Sequence, residues 1–256
     1  MFVAFGFYYV GMPWYVVVLV LLSSVYWYGP VLVYLGQRMP ALPSLRPLDS
    51  DAALPPAHSR YFDKIVPLLQ GAGFIQIGRF GSAVERQSVT GTAILLQHQE
   101  TSDLAHLLIA TQEGQTQAAE TLVFSRIRND GSRILTSCST VQSPFPANPR
   151  DSVLRLYNRI DSLDLWRAHQ ARVAADAGAV RNATVTDALA FQMELEKDSL
   201  RRHVASGLWQ QDEGTLFLRP TAIGAVLMCL RMLPPWKQIA RIHAWLQMRR
   251  YLRRQL

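Results

Sequence analysis

Residues 119–140 read AETLVFSRIRNDGSRILTSCST. Two runs rich in aliphatic, aromatic and β-branched side chains, Ala119–Arg128 and Arg133–Thr140, flank the tetrapeptide Asn129-Asp130-Gly131-Ser132. Asp and Gly both tolerate positive φ, so the tetrapeptide reads as a hairpin turn between two strands. Working outward, Phe74–Phe80, Gln87–Gln97 and Leu104–Gln112 have the same character. Strands joined by short connections pair with their neighbours, which predicts an antiparallel meander of about five strands.

Helical signals flank this meander. Ser59 is placed to cap a short helix carrying Tyr61, Phe62, Ile65, Val66, Leu68 and Leu69, with Pro67 kinking it and Gly71 and Gly73 marking its end. Past the prolines of Ser143–Pro149, Asn148 as cap and Pro149 at the first position open a long helix. Val153, Leu156, Tyr157, Ile160, Leu163 and Val173 carry its period to Gly178. A further helix is expected over Val185–Ser206, closed by Gly207, and a small hairpin over 208–219. The class is α+β: a sheet with helices packed on it.

The N-terminal region has a different composition. No charged side chain occurs before Arg38, and about 20 apolar residues of helix suffice to cross a bilayer core. Two aromatic registers fit such a span: Tyr8 and Tyr9 to Tyr26–Tyr28, or Trp14 and Tyr15 to Tyr34. Pro13 suits the first turn of the second. A cleaved signal would need a basic leader, a shorter core and small residues at a cleavage site; none is present. The expectation is a transmembrane anchor over 1–38 and a proline-rich linker over 39–57. A cytoplasmic α+β domain over 58–180 and a helical C-terminal region over 181–256 complete the order. Arg38 and Arg46 follow the span and no base precedes it, which places the bulk of a single-pass cell-membrane protein in the cytoplasm.

Charge is concentrated at the other terminus. The chain has 26 Lys and Arg against 19 Asp and Glu. From Thr215 onward there are eight bases and no acid, so the first 214 residues hold 18 against 19. The basic run carries interleaved apolar residues, the pattern of a helix lying in the plane of an anionic leaflet. The residues assigned to that membrane surface are Trp236, Lys237, Ile239, Arg241, Ile242, Trp245, Leu246, Arg249, Arg250, Arg253 and Arg254. Anionic lipid headgroups are thus the expected partner. Nucleic acid is disfavoured, because the only helix placed to read it carries Glu194, Glu196 and Asp198.

Catalytic signatures are missing. His58, His98, His106, His169, His203 and His243 show no metal-ligand spacing, and there is no phosphate loop, GxGxxG or GxSxG. Thr136-Ser137-Cys138 holds possible nucleophiles but sits on a strand, where alternate residues face core and solvent. His98 and His106 flank one strand connection and could approach across it. Cys138 and Cys229 are far apart and read as reduced structural thiols. The sequon Asn182-Ala183-Thr184 is inert in a cytoplasmic domain. No catalytic, metal or cofactor residue is assigned. The expected role is a non-enzymatic accessory or scaffold protein that binds another membrane component, a membrane-protein partner, through its α+β domain. The alternative is a tethered domain that binds lipid or another apolar ligand.

Overall fold

The computed structural model describes residues 13–41, 45–49, 53–84, 89–112, 118–139, 148–157, 160–180, 184–212 and 214–236, together with 238, 239, 242, 245, 246 and 249. The chain forms two compact units, one from 1–42 and 199–239, the other from 43–198 and 240–256.

The second unit is built on a seven-stranded sheet. Its core is the anticipated meander: β3 (Phe74–Val84), β4 (Val89–His98), β5 (Leu104–Gln112), β6 (Ala119–Ile127) and β7 (Arg133–Ser139), all antiparallel. At the β6–β7 turn Gly131 has φ +77°. Asp130 accepts from the Ser132 N–H at 2.9 Å and its hydroxyl at 2.6 Å. The short β2 (Leu45–Pro47) adds one edge beside β3. The other edge is β8 (Ser152–Tyr157), which runs parallel to β7 with Ile134 opposite Ser152.

The strand β8 corrects the expectation of a helix from Pro149 to Gly178. Asn148 closes a local turn, accepting from Arg150 N, and Asp161 is the true cap, accepting from Leu163 N at 2.8 Å before α3 (Ser162–Ala174). Val153, Leu156, Tyr157 and Ile160 satisfy a helical period, but Ser-Val-Leu-Arg-Leu-Tyr is also β-prone. The free ladder of β7 decides between the two.

The helix before the sheet, α2 (Pro56–Gly71), begins three residues ahead of Ser59 and runs through Pro67. Proline there removes a hydrogen bond to the Asp63 carbonyl, yet both residues are exposed and water can satisfy that oxygen.

Helices cover both faces of the sheet. On one face α2 and α3 bury Tyr61, Phe62, Leu69, Leu165 and Trp166 against Phe74, Leu96, Leu107, Ile109, Phe124 and Leu156. On the other, the first half of α4 (Ala188–Ala205) lays Ala188, Leu189 and Phe191 on Phe80, Ala93, Leu95 and Leu104. A β-bulge at Gln76–Gly78 admits α4: a Cβ on Gly78 would lie 2.8 Å from that of Ala188.

The first unit pairs α1 (Trp14–Gly36) with α5 (Ala222–Met232) beside a three-stranded sheet. That sheet has the order β1 (Met39–Pro40), β10 (Phe217–Pro220), β9 (Trp209–Gln211). Thr221 caps α5, accepting from Gly224 N at 3.0 Å. Arg38 donates to Asp212 at 3.0 Å, and Arg219 lies over the Tyr34 ring.

This arrangement corrects the transmembrane expectation. Among the described residues no helix is long and apolar enough to cross a membrane. Along α1, Gly29 faces Cys229 of α5, a Cβ there falling 3.1 Å from the Cys229 sulfur. Tertiary packing against α5 accounts for this side of the helix, and Arg38 is a structural ion-pair residue. Lack of charge marks a helix that shuns water; it does not distinguish a bilayer from a neighbouring helix. Tyr8 and Tyr9 of the other register lie outside the described residues, as do Asn182 and Ala183 of the sequon.

Candidate functional site

The polar groups with the most elaborate geometry are sealed inside the sheet unit. Asp103, at the start of β5, is 1 % exposed, and His169 on α3 and Thr136 on β7 are 0 % exposed. Arg126 on β6 donates to Asp103 through Nε and, at 2.6 Å, through Nη2. Thr101 donates to the same carboxylate at 2.7 Å. His169 Nε2 stands 3.7 Å from Asp103 Oδ1, and its Nδ1 meets Thr136 Oγ1 at 3.1 Å. Arg172 donates to that hydroxyl oxygen at 2.7 Å and to the Leu135 carbonyl. Thr136 Oγ1, accepting from Arg172, keeps its own proton and a second lone pair for His169 Nδ1, so the contact serves either tautomer of the ring.

Burial would push the Asp103 carboxyl up, but the facing His169 imidazole 3.7 Å away and the hydrogen bonds from Arg126 and Thr101 outweigh it and hold the group below its usual range. Burial pushes His169 down, against the opposing pull of Asp103. A hydroxyl, an imidazole and a carboxylate thus stand in line, the order used in nucleophilic catalysis. Here Trp166 and Phe124 pack on the imidazole, and Thr136 is fully buried. The chemistry available is fastening: three strands and a helix held by charge-assisted hydrogen bonds.

A second buried imidazole does the same at the opposite end of the sheet. His58 on α2 meets Thr92 at 2.8 Å and Thr111 at 3.1 Å, and burial lowers its pKa. Strand alternation separates the pair that the sequence placed near each other. His98 packs under Trp166 on one face, and His106 faces Phe191 on the other. Likewise Thr136 and Cys138 face the core side, with Ser137 on the opposite face. Among the described residues no group of three His, Cys, Asp or Glu is arranged to hold a metal.

The accessible features are apolar. On α1, Trp14, Tyr15, Val20, Trp27, Tyr28, Val31, Leu32 and Leu35 are all exposed. At 3.6 residues per turn all but Tyr15 fall within about 140° of arc, with Gly29, which faces α5, outside it. Ile223, Val226 and Leu227 are exposed on α5. A cleft of about 370 Å³ also opens between α2 and β3, lined by Leu54, Phe62, Val66 and Ile94 with Asp63 and Arg79 among its polar groups. Composition gave a signal for the α1 stripe, the uncharged N-terminal run; nothing in the sequence signals the cleft.

Of the residues assigned to a membrane surface, Trp236, Ile239, Ile242, Trp245, Leu246 and Arg249 are described, helical and exposed. The Arg249 guanidinium lies 4.0 Å above the Trp245 ring. Lys237, Arg241, Arg250, Arg253 and Arg254 lie outside the described residues.

Comparison with protein-family models, with curated proteins and with solved structures gives no match to this chain.

Proposed function

We propose that this chain is a non-enzymatic accessory protein that docks onto a partner protein through the open face of α1. The observation that carries the reading is the uncharged stripe of seven large apolar residues along that helix. Monomeric proteins rarely leave a contiguous apolar surface of this kind uncovered. Trp and Tyr are the side chains enriched at the centres of protein interfaces, where each contributes a large, rigid contact. The elaborate polar groups of the sheet unit are enclosed and serve its stability, which leaves binding as the work of the surface.

A photo-crosslinking residue placed at Val31 of the full chain, in its native cells, tests this. The expected result is one discrete protein adduct, abolished by Trp27→Asp and missing when the probe sits at the exposed Asp164. Adducts with lipid alone, or no discrete adduct, would overturn the reading. Trp27 is 75 % exposed, so the substitution leaves folding intact.

A second reading rests on the cleft between α2 and β3, whose volume and mixed lining of Leu54, Phe62, Val66 and Ile94 beside Asp63 and Arg79 suit a small ligand with an apolar body and a polar end. Native mass spectrometry of the full chain would retain such a ligand, and Val66→Trp would expel it; an unliganded mass throughout would sink this reading.

A further inference from the structure

We propose that the basic C-terminal segment binds an anionic phospholipid surface, lying along it with Ile242, Trp245 and Leu246 at the headgroup boundary. Positions 242, 245, 246 and 249 are helical. Their spacing of three, one and three residues confines them to about 100° of a helix surface. All four are exposed, so the segment presents one compact apolar stripe to its surroundings. Arg249 shares that face, its guanidinium stacked on the Trp245 indole, which puts a positive charge beside the apolar side chains at the same face.

Charge complementarity identifies the occupant. Arg249 stands on the stripe's own face, the same stretch of sequence holds Lys237, Arg241, Arg250, Arg253 and Arg254, and no acidic residue follows Glu213. A lipid headgroup layer is the partner that rewards both halves of this pattern at once. Apolar side chains leave water for the acyl boundary, while each base gains from the negative surface potential. A nucleic acid would reward the bases alone and leave Ile242 and Leu246 in water. The inference stands apart from the docking face of α1, whose uncharged residues have no preference for anionic over neutral lipid.

The test is co-sedimentation of the full chain with phosphatidylcholine vesicles, with and without phosphatidylglycerol. Wild type should favour the anionic vesicles, and added salt should erode the preference, because a Debye length shrinks to about 10 Å at 0.1 M. Arg249→Gln and Arg250→Gln should each weaken anionic binding roughly fivefold. Trp245→Ser should weaken it and Trp245→Phe should restore it. Equal binding to both vesicle types, or charge variants that bind as wild type does, would overturn the proposal. Salt-sensitive binding to duplex DNA with indifference to vesicles would overturn it in favour of nucleic acid.

Discussion

Arg126 is the residue whose removal reads the buried network most directly. Its guanidinium supplies two of the hydrogen bonds to Asp103, at a site where both side chains are buried. Arg126→Met keeps the aliphatic volume but leaves the carboxylate with Thr101 and a more distant His169. Taking one partner from a buried ion pair costs about 3–5 kcal/mol, because the remaining charge is neither hydrated nor compensated. For a unit of this size that is a fall in Tm of roughly 6–20 °C.

Circular dichroism of the full chain during heating measures it, and the double variant Arg126→Met/Asp103→Leu supplies the control. With both charges gone the double variant should recover most of the loss, so the two single effects should not add. Acidity gives an independent sign. In wild type the Asp103 pKa is depressed, so its contribution is present above the unfolded carboxyl value and is lost as pH falls. In Arg126→Met burial dominates and raises that pKa, so mild acid should narrow the gap between variant and wild type. A single-variant loss below about 1 kcal/mol, or a double equal to the sum of the singles, would refute the network as a source of stability.

Two other outcomes follow from individual sites. Gly224→Ala would drive a Cβ into the Leu208 carbonyl oxygen, a backbone atom that cannot rotate away; urea unfolding should show a loss of about 3 kcal/mol, and a neutral result would mean that α5 is not seated against the Leu208 backbone. Burial and then Arg133 hold the His106 pKa down at about 4. A neutral, half-buried imidazole contributes its stability above the unfolded value of about 6.5 and loses it as pH falls toward 4. His106→Leu should flatten that limb of the stability curve, and an unchanged limb would contradict the assignment.

The meander was legible because its signals are local. Asp130-Gly131 dictates a turn with positive φ, and the runs on either side alternate closely enough to set register without outside help. The two edge strands were not legible for the complementary reason. Leu45–Pro47 and Ser152–Tyr157 become strands because β3 and β7 offer free ladders, and that offer is a fact of tertiary structure. The helix over 188–205 was readable from its stripe of Leu189, Met193, Leu200 and Val204. The buried Asp103–Arg126–His169 cluster joins residues far apart in sequence, each unremarkable alone; only the pairing of β5 with β6 and the seating of α3 assemble it. The N-terminal run shows the converse error. Its lack of charge was plain, but the agent covering one side, α5, lies at the far end of the chain.

That separation has a temporal side. Residue 222 leaves the ribosome 186 residues after residue 36 (222 − 36). At ordinary elongation rates of about 5–20 residues per second, α1 waits roughly 10–40 s for the helix that covers it. Its two faces are apolar together during that interval, and β1 likewise lacks β10. The intervening sheet unit, built mostly from hairpins between consecutive strands, has the local connectivity to form meanwhile. The nascent chain therefore carries a sticky amphiphile ahead of a body that is already folding, which is the circumstance in which trigger-type holding chaperones, or an early encounter with the partner itself, determine yield. Moving α5 next to α1 by circular permutation would abolish the wait while preserving the contact.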